Sequence, residues 1–69
     1  MKDNARFYYK HALRLQGLFL EDTDEIKDAQ GKVKAWLGEV KWNGNILEAK
    51  IKLATSIDFV LTTVDVSLL

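Results

Sequence analysis

Between Lys34 and Leu53, apolar and polar residues alternate on either side of an Asn43-Gly44 dipeptide. Leu47, Ala49, Ile51 and Leu53 interleave with Glu48, Lys50 and Lys52, the period of two expected of a strand with one buried face. Asn43-Gly44 reads as the two-residue loop of a type I′ hairpin, in which both central residues take positive φ. That loop sets Trp42 opposite Asn45, Val40 opposite Leu47, Gly38 opposite Ala49, Trp36 opposite Ile51 and Lys34 opposite Leu53. Trp36 and Val40 then belong to the core face, with Trp42 at its end beside the turn. Glu39, Lys41, Glu48, Lys50 and Lys52 occupy the other face. A slip of one residue would carry Glu48 and Lys50 in among the tryptophans, so the pattern restricts the register. One defect remains. Glu39 directly opposes Glu48, which is unfavourable unless the diagonal Lys41 and Lys50 offset it.

The flanking segments extend this reading. In LRLQGLFL (residues 13–20), Leu13 and Leu15 alternate, and the phase then shifts after Gly17 to Leu18 and Leu20, as a glycine bulge in a strand would produce. SIDFVLTTVDVSLL (residues 56–69) is rich in β-branched residues. It alternates through Ile57, Phe59 and Leu61, then through Val64, Val66 and Leu68, with a bulge or bend expected at Thr62-Thr63. The acidic EDTDEIKDAQGK reads as a loop ending in a turn at Gln30-Gly31. Upstream, Lys2, Arg6, Lys10 and Arg14 recur at every fourth position, with Ala5, Tyr8, Tyr9 and Ala12 opposite. This predicts an amphipathic helix over residues 4–12 with Asp3 or Asn4 as N-cap. The expected fold is α+β: a short N-terminal helix followed by a four-stranded antiparallel β-meander, one domain spanning residues 1–69.

An all-α three-helix bundle is the alternative. Ile26, Ala29, Val33, Trp36, Leu37 and Val40 also fall at helical spacing, as do Ile46, Ala49, Leu53, Ile57, Val60, Val64 and Leu68. With a helix on each side, Trp42-Asn43-Gly44 matches W-x-G, and the chain resembles the small, cysteine-poor WXG-type secreted helical hairpins. That resemblance covers three residues and implies a helical hairpin. Against it, Gly31 and Gly38 would lie inside a helix, each costing about 1 kcal/mol relative to alanine.

Composition narrows what such a domain can do. Sixty-nine residues without cysteine and with one histidine exclude a disulfide framework and a zinc site with four protein ligands. A chain of this length buries only about 60% of its unfolded surface, so the 48% apolar content must carry stability, and oligomerisation is a natural expectation. Ten basic residues balance ten acidic ones, which disfavours a protein that grips phosphate backbone. The longest apolar runs, such as Leu18-Phe19-Leu20, have three residues, against the roughly 20 of a membrane helix. No secretory apolar region follows Met1. A cytoplasmic protein is expected.

Candidate chemistry is sparse. Counted from Asp22, the acidic segment puts Ile26 and Lys27 where a calcium-binding EF-hand needs an oxygen ligand and glycine. His11 is the sole candidate general base, and Ser56 and Ser67 lie in no nucleophile motif. Neither enzymatic activity nor a cofactor nor a small-molecule substrate is expected. The favoured function is a non-catalytic protein-interaction or self-assembly module working through a sheet edge and apolar sheet surface. Its candidate residues are Val64, Val66 and Leu68 in the last strand, where Asp65 is the only charge, together with Trp42. The alternative is a weak single-stranded nucleic-acid binder using Tyr8, Tyr9, Arg6, Lys10 and Lys34, with Trp42 as a further stacking residue.

Overall fold

The computed structural model describes residues 4–69. The amphipathic N-terminal stretch forms helix α1 (Ala5–Leu15), with Ala5, Tyr9, Ala12 and Leu13 buried. Asn4 occupies the N-cap position without a side-chain capping bond, and Asp3 lies outside the described residues. The helix runs three residues beyond its expected end because Gly17 terminates it rather than bulging a strand. Gly17 adopts φ +77°. Its N–H donates to the Arg14 carbonyl (3.0 Å), and the Leu18 N–H donates to that of Leu13 (2.9 Å). This is the Schellman pattern, which brings the residue after the glycine back onto the last turn. The phase shift at Gly17 is therefore the change from helical to extended chain.

Five antiparallel strands follow, one more than expected: β1 (Phe19–Leu20), β2 (Glu25–Lys27), β3 (Val33–Asn43), β4 (Ile46–Leu53) and β5 (Phe59–Asp65), in the order β1-β2-β3-β4-β5. The additional strand, β2, lies inside the acidic segment. There Ile26 is buried between Leu20 and Ala35. Single-residue alternation around one isoleucine is too short to register as a strand in the sequence. Asp28 shapes the β2–β3 turn by accepting from the Gln30 and Lys32 N–H groups, each at 2.9 Å. The all-helical alternative does not form: Trp42 and Asn43 lie in β3, and the chain turns at Gly44.

The β3–β4 hairpin is present, but its loop is Gly44-Asn45. Asn43 opposes Ile46, and Trp42 opposes Leu47. Gly44 alone takes positive φ (+61°), the arrangement of a type II′ turn, in which glycine leads the pair. Moving the loop by one residue shifts opposed residues by two, so each side chain keeps its face. Alternation alone therefore cannot separate the two registers. Cross-strand charge can: the observed pairing sets Lys41 against Glu48 and Glu39 against Lys50, replacing the Glu39–Glu48 opposition with two favourable pairs worth about 0.2–1 kcal/mol each.

A second correction concerns Trp36. The ladder slips by one residue between Leu37 and Glu39, a bulge at Gly38. Below it Leu37 opposes Ile51 and Ala35 opposes Leu53, whereas Trp36 opposes Lys52. The bulge thus keeps Ala35, Leu37, Val40 and Trp42 on the helix side and turns Trp36 to the outer face. The core beneath α1 contains Leu20, Ile26, Ala35, Leu37, Leu47 and Ala49, with Val40, Trp42 and Ile51 packed around it.

In β5 the expected irregularity at Thr62-Thr63 is absent, and pairing with β4 is regular from Asp65 to Phe59. Thr62 simply takes an inner position. Its hydroxyl donates to the Ala49 carbonyl (3.4 Å), so a polar residue fills an apolar slot. Val60, Thr62 and Val64 face inward, while Phe59, Leu61, Thr63 and Asp65 face outward. The chain then closes in a 3-10 turn (Val66–Leu68) capped by Asp65, which accepts from the Ser67 N–H (3.0 Å).

Candidate protein-interaction surface

The helix covers one face of the sheet and leaves the other open, where the Gly38 bulge organises an apolar patch. A Cβ at Gly38 would lie 2.8 Å from Cε1 of Phe59 and 3.3 Å from the Lys50 carbonyl. The absent side chain is what lets the Phe59 ring lie against the backbone of β3. On the same face the Lys52 ammonium stands 4.7 Å from the centre of the Trp36 ring, an attraction of about 0.5–1 kcal/mol in an exposed setting. Lys50 pairs with Glu39 at 3.8 Å. Despite these contacts Phe59 and Leu61 remain 53% and 59% exposed, and Ile57, in the preceding loop, is 89% exposed.

This patch adjoins the longer free edge of the sheet. Strand β5 pairs with β4 on one side, and among the described residues no strand pairs with its other side. Residues 59–64 (FVLTTV) carry no charge, the ladder holds no bulge, and the sequence contains no proline. Charged side chains, proline and bulges are the usual means by which an edge strand resists pairing with another chain. Here all three are missing over the six residues from Phe59 to Val64.

The residues expected to bind a partner divide between two places. Val64 and Val66 pack partly against the core, and Leu68 is exposed in the 3-10 turn. Trp42 faces the helix side, its ring edge-on to Tyr8 with centroids 5.6 Å apart. Together with Gly44, Val66 and Ser67, these two rings line an open groove of about 710 Å³ at the hairpin end. The edge itself is carried by Phe59, Val60 and Leu61, which the sequence reading omitted. Their signal was present: Phe59 and Leu61 alternate with β-branched residues in an uncharged run.

The nucleic-acid set does not form one surface. Tyr9 is buried, and burial raises its pKa above the ordinary phenol value, with the Thr62 side chain opposing. Arg6 is engaged by Asp24 and by the Glu21 carbonyl (2.9 Å). Lys10 is exposed on the helix, and Lys34 lies in β3. Tyr8 packs between Phe7 and Trp42.

The acidic segment is likewise occupied with holding the fold. Asp24 binds Arg6, and Lys27 stands 3.7 Å from Glu25 and 4.0 Å from Glu21. Asp28 has its pKa lowered, first by the Lys32 N–H. Among the described residues no cluster of three or more acidic or histidine side chains could hold a metal ion. His11 is exposed on α1. No helix among the described residues is long and apolar enough to cross a membrane.

The chain matches no protein-family model, no characterised protein and no solved structure.

Proposed function

We propose that this chain is a non-catalytic protein-interaction module that takes up an extended segment along β5. The open β5 edge, uncharged from Phe59 to Val64, is the observation that carries this reading. Alternate N–H and C=O groups of an edge strand supply pairing, and the side chains of every second residue supply register. Phe59, Leu61 and Trp36 extend the contact onto the outer face, where an incoming strand would lay apolar residues. The cysteine-free composition fits a reducing compartment such as the cytoplasm.

Selection of displayed peptides against the immobilised protein tests this. The enriched sequences are expected to alternate β-branched or aromatic residues, and binding is expected to disappear with Leu61→Lys, which places a charge on the edge. Absence of enrichment, or enrichment indifferent to Leu61→Lys, rejects the reading.

A single-stranded nucleic-acid binder is the second reading, favoured by Trp36 and Phe59 standing outward among Lys34, Lys50 and Lys52. Stacking on such rings is worth about 1–3 kcal/mol per base. Balanced charge and the pairing of Lys50 with Glu39 weigh against it. Oligonucleotide binding that weakens steeply with salt and is lost in Trp36→Ala would replace the first reading with this one.

A further inference from the structure

We infer that the occupant of the β5 edge is a second copy of this chain, joined about a two-fold axis perpendicular to the sheet to give one continuous ten-stranded antiparallel sheet. This rests on the edge-pairing reading above and names its partner.

The strand is complementary to itself. Two copies related by that axis pair antiparallel, and each residue opposes one of the same parity, so inner faces meet inner faces and both helices lie on the same side. Centring the pair on Thr62 uses the whole strand. Val60 then opposes Val64 of the second copy, Leu61 opposes its Thr63, and Phe59 opposes its Asp65.

Charge agrees with this arrangement. The two carboxylates that bracket the strand, Asp58 and Asp65, differ in parity, so no register of this symmetry places one directly against the other. In the Thr62-centred register, Asp65 of the second copy arrives on the outer face beside Phe59, whose own neighbour in β4 is Lys52. On that face strand β4 carries Glu48, Lys50, which Glu39 already engages, and Lys52. Each copy therefore presents the Asp65 carboxylate, one oxygen of which also accepts from Ser67, at the end of its edge strand, and the Lys52 ammonium one strand back. The chain has formal net charge zero, so no long-range repulsion opposes association.

The opposite edge offers no such fit. Strand β1 is two residues long and runs into Glu21 and Asp22.

Sedimentation equilibrium of the intact chain up to about 1 mM, a range that captures millimolar or tighter association, tests the inference. A monomer–dimer equilibrium is expected. Leu61→Lys should weaken it by about tenfold or more, because a charge on the edge opposes pairing. Leu68→Lys, at a residue still more exposed but off the edge, should leave it unchanged. In a mixed sample of isotope-labelled and unlabelled protein, methyl contacts between Val60 and Val64 of different copies are expected. A monomer at all concentrations overturns the inference, as does a dimer sensitive to Leu68→Lys and indifferent to Leu61→Lys. A monomer that still captures extended peptides through β5 rejects the second copy while leaving the edge-pairing reading standing. A monomer that captures none rejects both.

Discussion

The two edges of this sheet are treated in opposite ways. At the first, β1 is only two residues long, the helix packs beside it, and Arg6 fastens α1 to the turn before β2 through Asp24 and the Glu21 carbonyl. At the other, β5 runs for seven residues with Phe59, Val60 and Leu61 each more than two-fifths exposed. Protection of a sheet edge is thus a local property, set by which side the helix and its ion pairs happen to cover. A short amphipathic helix, about 16 Å long at 1.5 Å per residue, cannot shield both sides of a five-stranded sheet, whose strands lie about 4.8 Å apart. The side it leaves is the one where the chain lacks charge.

Substitutions can break this contrast at several magnitudes. The largest effect is expected at the protected side: Ile26→Ala, at a residue 2% exposed, should cost about 2–5 kcal/mol. Leu61→Ala on the open side should stay within about 0.5 kcal/mol for the monomer. Urea unfolding of both variants measures the difference, and similar losses would mean the two sides are equally load-sharing.

Asp24 gives a finer probe, because it combines the ion pair with φ +72°. Asp24→Ala keeps the strained backbone and loses Arg6, so a loss of about 1–2 kcal/mol is expected. Asp24→Gly loses the ion pair but relaxes the backbone, so its unfolding free energy should lie within about 0.5 kcal/mol of the parent's. Equal losses in the two variants would assign the whole effect to Arg6.

The smallest effects are those of pH. Tyr9 has a raised pKa in the folded chain because burial disfavours the phenolate. Its contribution is fully present below the ordinary phenol range and is lost as pH rises through the folded value. Stability should therefore fall in alkaline solution above about pH 10, and less so in Tyr9→Phe. Asp28 has the opposite sign. Its lowered pKa gives a contribution present above the ordinary carboxylate range and lost as pH falls through the folded value. Acid titration of Asp28→Asn should show a shallower decline. Tyr9 touches β5 and Asp28 shapes the β2–β3 turn, so the two limbs of the pH profile report on different halves of the sheet.

Much of this architecture was legible before any coordinates. The helix, the hairpin and the α+β class follow from periodicity, and the inward and outward faces of β4 read correctly although its partners in β3 did not. Beyond the helix end at Gly17, the short β2 and the closing 3-10 turn, three details of β3 to β5 did not follow, each for a physical reason. The hairpin loop moved by one because alternation is blind to a shift of two, although the Glu39–Glu48 clash was a sign that charge favoured the other register. Trp36 changed face because a bulge at Gly38 resets parity, and a glycine with ordinary φ announces nothing. In β5, Thr62 stood in an apolar slot because its hydroxyl found the Ala49 carbonyl, which made one regular strand look like two out of phase. The interaction surface was the least legible part. Exposure of Phe59 and Leu61 depends on which face the helix covers, and that is a tertiary fact.

The bulge has one more consequence, a spectroscopic one. It places the two tryptophans on opposite sides of a single strand, Trp42 against Tyr8 under the helix side and Trp36 beneath the Lys52 ammonium outside. The protein thus carries an indole on each side of its sheet. With Trp42→Phe, emission comes from the outer indole alone, and with Trp36→Phe from the inner one alone. A ligand arriving on the open face should shift the first signal and leave the second unmoved, whereas loosening of the helix should do the reverse.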